Sequence, residues 1–373
     1  MKLIRKQRSY VADYFARLFG FLLIFAVISI PLISCDTNKT APVNTQKRDV
    51  TKPLVPKPSY AVAIEKGDYE KALKEIRPLA EKGDAVAQDY LGFMYATGRG
   101  VPQNFVESHK WLLLAAEKGE AHAQYIIGMF YSKGQSGVKQ DYQEAVKWWL
   151  LAAQQGYAIA QEDLGIMYGT GRGIPQNYQE AARWFRKAAE QNLAKSQYNL
   201  GTFYEYGQGV SQDYREAVKW YRKAAEQGFS DAQNNLGLMY SKGRGVAQNY
   251  EEAMAWYKKA AEQGDSFAQF NLGKMYDDGK GTTKDDSKAI KWYRMAAKKG
   301  VASAKIRLGL KYAKGEGVTQ DYIQAYKLFY IAAQTENSIA QEAMQLTSKS
   351  MTNNQIEEAI RLAKAEIVNK KPE

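Results

Sequence analysis

The chain has 373 residues, of which 45% are hydrophobic, 26 are Tyr, 9 are Pro, 2 are His and 1 is Cys, with a formal net charge of +12. This balance is that of a soluble helical protein, and a single Cys excludes a disulfide framework. Met1–Ser34, with five bases against one acid, carries +4 of the charge. The bases that follow are interleaved with acids, as in Lys219, Arg222, Lys223 and Glu226, which disfavours a nucleic-acid partner.

Lys2, Arg5, Lys6, Arg8 and Arg17 precede the uncharged run Leu18–Ser34, LFGFLLIFAVISIPLIS. A basic segment followed by an apolar one is the layout of an export signal. As a helix the run spans about 25 Å, marginal against the roughly 20 residues of a transmembrane span. Leu32-Ile33-Ser34-Cys35 resembles the lipobox of bacterial lipoproteins. The resemblance implies a signal peptide over 1–34, lipid on Cys35 and cleavage just before it; the other reading is an uncleaved anchor helix. Either tethers the chain to a bacterial envelope, facing the periplasm. Asp36 resembles the inner-membrane retention signal of enterobacterial lipoproteins, and the outer membrane stays open. Residues 35–58 then read as the lipidated Cys and a flexible linker rich in Thr, Lys, Asn and Pro.

Ser59–Gly83 carries half of a pattern that recurs in full seven times, over 84–119, 120–156, 157–192, 193–228, 229–264, 265–300 and 301–336. Its glycines Gly92, Gly128, Gly165, Gly201, Gly237, Gly273 and Gly309 stand 36, 37, 36, 36, 36 and 36 residues apart. A fixed period in this range is the signature of stacked repeats. The extra residue of the second unit falls in Gly134-Gln135-Ser136-Gly137. The half repeat is read as an N-terminal cap and 337–373 as C-terminal capping helices. There Ile339-Ala340-Gln341 is kept, the Leu-Gly pair is lost to Gln345-Leu346, and Thr352 is the expected N-cap of a last helix.

Leu193–Gly228 shows one unit. Its first helix is expected over Ala194–Tyr206, with Leu200 and Tyr204 on one face. Gly201 inside it costs about 1 kcal/mol against Ala, so a neighbouring helix must approach closely there. Gly207 and Gly209 end the helix. Asp213 with Glu216 reads as a capping box, repeated in most units and broken at Asp285/Lys288. Ala pairs such as Ala224-Ala225 allow close packing. The Trp series Trp111, Trp148, Trp184, Trp220, Trp256 and Trp292, with Leu328 in its place last, reads as core.

The motif A-x-x-x-L-G-x-x-Y, a G-x-G loop, Asp/Asn-Tyr and A-x-x-W-[YF]-x-x-A-A-E-x-G resembles the Sel-one-like repeat family, relatives of tetratricopeptide repeats, over about Ser59–Ile367. The resemblance implies an all-α fold, a right-handed α-solenoid, and an adaptor or binding role. The chain departs from the cysteine-rich subgroup of that family, so β-lactam binding is not carried over.

Chemistry is sparse. His109 and His122 sit at different repeat positions without an obvious partner, so no metal site is expected. The G-x-G loops resemble phosphate cradles, but they follow helices and recur in almost every unit, which fits helix termination. No catalytic triad, nucleophile or cofactor motif is found, and the expectation is a non-enzyme.

Differences between repeats are the useful signal. Two positions on the first helices are candidates for a concave groove, one running Asp89, Tyr125, Glu162, Tyr198, Asn234, Phe270 and Ile306. The other runs Tyr90, Ile126, Asp163, Asn199, Asn235, Asn271 and Arg307. Asn199, Asn235, Asn271 and Arg307 would grip a peptide backbone, and Tyr125, Tyr198 and Phe270 would take its side chains. The alternative at the asparagines is a bond to a neighbouring loop. The expected role is a membrane-anchored periplasmic adaptor for a protein or peptide. A scaffold in an envelope or polysaccharide-export complex is the alternative, and a cell-wall or β-lactam-processing enzyme a minor one.

Overall fold

The computed structural model describes residues 58–334 and 338–368. The described residues form 18 helices and no strand. The half repeat gives α1 (Ser59–Glu65) and α2 (Tyr69–Glu81). Seven pairs follow: α3 (Ala85–Thr97) with α4 (Phe105–Glu117), α5 (Ala121–Lys133) with α6 (Tyr142–Gln154), α7 (Ala158–Thr170) with α8 (Tyr178–Glu190), α9 (Ala194–Tyr206) with α10 (Tyr214–Glu226), α11 (Ser230–Lys242) with α12 (Tyr250–Glu262), α13 (Ser266–Asp278) with α14 (Asp286–Lys298), and α15 (Ala302–Lys314) with α16 (Tyr322–Ala333). The chain continues in α17 (Ser338–Ser348) and α18 (Asn353–Val368). None of these helices is long and apolar enough to cross a membrane. The export-signal reading of Met1–Ser34, Cys35 and the spacer fall outside the described residues.

Each pair packs chiefly on itself and then on the pair beside it. This is the stacking by which repeats bury a continuous core. Gly201 is where the two helices of a pair meet: a Cβ there would lie 2.7 Å from Tyr221 Cδ1. In the following loop Gly207 ends α9 at φ 66°. A Cβ on Gly209 would lie 2.1 Å from Tyr178 O of the preceding pair. The loop glycines therefore stop one helix and also seat the neighbouring pair.

Helix α10 begins with half of the expected capping box. Asp213 accepts from the backbone N–H groups of Arg215 at 2.8 Å and Glu216 at 3.1 Å. The return bond does not form, because the Asp213 N–H donates to Tyr204 O at 3.0 Å. Glu216 pairs with Lys219 instead, at 3.1 Å. The same tyrosine carbonyl takes the N-cap N–H in all seven pairs. Asp285 caps as well, accepting from Lys288 N–H at 2.9 Å, so the Lys does not break the cap. A reciprocal box forms at Thr352, whose N–H donates to Gln355 Oε1 at 2.9 Å and whose Oγ1 accepts from Gln355 N–H at 3.3 Å.

Trp184, Trp220 and Trp256 are buried, and Trp111, Trp148 and Trp292 are half-buried. Each packs on the cluster made by its own first helix and the preceding second helix. The series is core, as expected, but the residue after each Trp meets the first-helix glycine. Tyr221, Tyr293 and Phe329 are fully buried.

A buried polar series runs beside this core. Gln88, Gln124, Gln161, Gln197, Gln233 and Gln269 each donate to an alanine carbonyl of the preceding second helix, at 3.0 or 3.1 Å. Gln155, Gln191, Gln227 and Gln263 reach the Oε1 of four of them at 2.8 or 2.9 Å. Satisfied in this way, a buried amide fixes the register of the stack instead of destabilising it.

The last full pair is built differently. Lys311 occupies the register of Met167, Phe203, Met239 and Met275 and is 4% exposed. Its ammonium meets Asp277 at 2.5 Å, Asp286 at 2.7 Å and Glu316 at 2.9 Å. Beyond it, the 36-residue register puts Met344-Gln345, not Gln345-Leu346, where Leu308-Gly309 stands. A Cβ on Gly309 would lie 2.5 Å from Phe329 Cε1. Gln345, exposed, makes no such close approach, and α18 packs on α16 instead of α17. Ile339 and Leu346 remain 62% and 58% exposed.

Candidate functional site

The first helices are buried on most of their circumference and expose one stripe. On α9 the side chains at Ser196, Gln197, Tyr198, Leu200, Gly201, Phe203 and Glu205 are buried. Lys195, Asn199, Thr202 and Tyr206 stay wholly or partly exposed, at the spacing of one helical face.

The two candidate rows fall on different sides of this boundary. The row through Tyr198 is the seam between successive repeats. Asp89 bonds His122 of the next repeat at 2.9 Å. Tyr125 packs on Tyr157 with ring centroids 5.3 Å apart. Glu162 takes Lys195 at 3.0 Å and Ser196 Oγ at 2.7 Å. Tyr198 packs on Phe229 at 5.3 Å, and Asn234 accepts from Asn271 at 3.0 Å. Tyr125 and Tyr198 are 7% and 8% exposed, and Phe270, half-buried, packs on Tyr293 at 5.9 Å. Tyr125 and Tyr198 are committed to stacking between repeats, which corrects the expectation that they would face a partner, while Phe270 stays partly exposed. His122 also corrects the sequence reading: its partner comes from the neighbouring repeat. Burial works against the charged imidazole, but the Asp89 carboxylate holds its pKa above the usual value, with Glu120 adding to it. His109 packs beside Phe130 and Tyr131, and burial lowers its pKa.

The other row lies on the stripe. Asn199 and Asn235 are half-buried and Arg307 is exposed. Asn235 Oδ1 lies 3.4 Å from Asn234 Nδ2, and Asn271 is bonded across the seam to Asn234. So the asparagines differ: Asn271 ties neighbouring repeats, while Asn199 and Asn235 border solvent. Toward the N-terminus the stripe is apolar, through Tyr90, Phe93, Ile126, Met129, Ile159 and Ile166. Toward the C-terminus it becomes basic at Arg307 and Lys314.

Asp163 stands between these regions, 4% exposed. Burial pushes its carboxyl up to about 7; Lys195 opposes the rise, Glu162 adds to it, and a Tyr125 hydrogen bond and Lys133 oppose it. Sequence reading placed Asp163 in the row but gave it no role. Its signal was a lone acid at a register held by Asn in the next three repeats. Among the described residues no cluster of His, Cys, Asp or Glu could hold a metal ion.

A solenoid of helix pairs that leaves a stripe of its first helices exposed is a repeat protein of the interaction type. A family model described as the Sel1 repeat matches residues 85–120, 121–157, 158–193, 194–229, 230–265, 266–301 and 302–334, most of the chain. The chain therefore belongs to the Sel1 repeat family, whose repeats generally mediate protein–protein interaction. A Sel1 repeat protein from Oxalobacter formigenes is 34% identical, covering 67% of this chain and 98% of its own, with a TM-score of 0.59. A protective antigen of uropathogenic Escherichia coli with an SLR fold is 32% identical over 84% of this chain and 86% of its own, with a TM-score of 0.44. Cysteine rich protein B of Helicobacter pylori is 31% identical over 34% of this chain and 93% of its own, with a TM-score of 0.28. No curated protein matches the chain.

Proposed function

We propose that this chain is a non-enzymatic adaptor, anchored to a bacterial envelope through lipid on Cys35, that holds a protein partner along the first-helix stripe on the periplasmic side. The observation that carries the reading is the division of the two rows. Stacking uses the seam residues, whereas Asn199, Asn235 and Arg307 present polar groups beyond those the stack consumes. Membership of an interaction-repeat family supports the same role, and the lipobox-like Leu32–Cys35 supports the anchor.

Photo-crosslinking amino acids at Asn199, Asn235 and Arg307, compared with Arg183 and Lys219 on the second helices, test the surface. The stripe positions are expected to trap one common partner and the second-helix positions none; the reverse pattern rejects the assignment. Cys35→Ala is expected to lose lipid labelling and to keep Leu18–Ser34 uncleaved, and a variant still cleaved just before residue 35 and retained in the membrane rejects the anchor.

A further inference from the structure

Three carboxylates are buried among the described residues, and two of them are partnered. Glu162, 8% exposed, holds Lys195 and Ser196. Glu205, 4% exposed, accepts from the Tyr221 hydroxyl at 2.7 Å. The third is Asp163. Its carboxyl takes a hydrogen bond from Tyr125, but its Oδ2 is buried and has no hydrogen-bond partner. A buried acceptor left unsatisfied destabilises the fold. Asn, which has no charge to desolvate, stands at the same register in the next three repeats, as Asn199, Asn235 and Asn271.

The surroundings of that oxygen define what it lacks. Ile159 and Ile166 lie one turn before and one turn after Asp163 on the same helix face, and Ile126 holds its register in the preceding repeat. Ile159 is 41% exposed. The facing charged groups do not complete the site. Lys195 is engaged by Glu162 at 3.0 Å. Lys133 forms no ion pair among the described residues, and burial disfavours its charged form. A carboxylate oxygen accepts only, and its strongest donors are ammonium and guanidinium N–H groups. Lysine and arginine also carry aliphatic stems that lie well along apolar walls.

From the unpartnered Oδ2 and the isoleucines that share its helix face and register, we infer that Asp163 is a subsite on the stripe for a lysine or arginine side chain of the bound partner. The inference rests on the stripe being the partner surface. It adds a specificity element: one cationic residue in the partner segment that crosses the third repeat. Because burial pushes the Asp163 carboxyl up to about 7, the subsite is charged above neutrality and largely protonated below it. Tyr125, Lys133, Glu162 and Lys195 are the titratable groups that face it.

The test uses the full-length protein in detergent with aspartate carboxyls carbon-13 labelled. The Asp163 signal is identified by its loss in Asp163→Asn, a substitution that matches the next repeats and keeps the fold. The probes are Ac-Ala-Lys-Ala-NH2, its Arg counterpart and its norleucine counterpart. The Lys and Arg peptides are expected to lower the Asp163 titration midpoint by about one pH unit or more. They are also expected to bind about tenfold tighter at pH 8 than at pH 6, and to lose that pH dependence in Asp163→Asn. An Asp163 midpoint unmoved by millimolar Lys peptide, or moved equally by the norleucine peptide, overturns the inference. Crosslinks that persist at Asn199 and Asn235 in that event leave the stripe as the partner surface and remove only the cation subsite.

Discussion

The Cβ that Gly201 lacks would lie 2.7 Å from Cδ1 of Tyr221, a ring with no exposed surface, and 3.2 Å from Ala217 O. The same meeting recurs at Gly128 with Trp149, Gly165 with Phe185 and Gly273 with Tyr293. The small residue on one helix and the ring on the other set the distance at which a pair closes. Gly201→Ala gains about 1 kcal/mol of helix propensity but overpacks a rigid contact, which costs about 1–3 kcal/mol. A net loss of up to about 2 kcal/mol is expected in urea melts. Tyr221→Ala removes the ring, so the double variant should lose clearly less than the sum of the two single losses; strict additivity contradicts the contact.

Asp286 and Lys311 replace an aromatic contact. Three repeats earlier in the stack, their registers are held by Tyr178 and Phe203, whose ring centroids lie 6.1 Å apart. Lys311→Met strips the shared cation from Asp277, Asp286 and Glu316. Removing one partner of a fully buried pair costs about 3–5 kcal/mol, and these partly exposed acids reduce the expected loss to about 2 kcal/mol. Adding Asp286→Tyr should recover most of it. Hydrogen bonds from Lys311 hold the Asp286 and Glu316 pKa values down. Their contribution is therefore present above the ordinary carboxylate range and lost as pH falls through the lowered folded values. The gap between wild type and Lys311→Met should narrow in acid melts.

Helix number, length and order were legible because each repeat buries the same small set of residues at one period. Gly201, Leu200 and Ala224 mark that set whatever lies outside it. The two candidate rows were not separable, since Tyr198 and Asn199 are adjacent, and which of them faces the next repeat depends on how repeats are inclined. The capping boxes were misread for a similar reason: the Asp213 N–H was already held by Tyr204 O, a partner nine residues back in another helix. The glutamine series went unnoticed because Gln reads as a surface residue until an alanine carbonyl across the seam is seen to accept from it. His122 seemed isolated because Asp89 is local only once the repeats are stacked.

His122 makes the first seam sensitive to pH. Its folded pKa is raised above the unfolded value, with Asp89 outweighing burial. The charged pair therefore stabilises the fold fully below the unfolded histidine value of about 6.5 and is lost as pH rises through the higher folded value. Relative to His122→Gln, wild type should be more stable by roughly 1 kcal/mol below pH 6, with the difference fading above neutrality. Paired urea melts across this range measure it, and a difference that grows with pH contradicts the assignment.

Asp163 carries the opposite consequence for stability. Its folded pKa of about 7 lies above the ordinary value, chiefly through burial. Ionisation is then easier in the unfolded chain, so folding loses stability as pH rises from the carboxylate range through neutrality. The cost reaches up to about 4 kcal/mol by pH 8. Asn at this position has no charge to desolvate and matches Asn199 in volume and register. Asp163→Asn should therefore stabilise the protein at pH 8 and leave it nearly unchanged at pH 4. A stabilisation equal at both pH values would assign the effect to packing, and none at either would mean that the carboxyl ionises in the folded stack as easily as in water. A protein that keeps an acid where its own repeats offer a more stable residue is holding an acceptor open for a donor that arrives from outside.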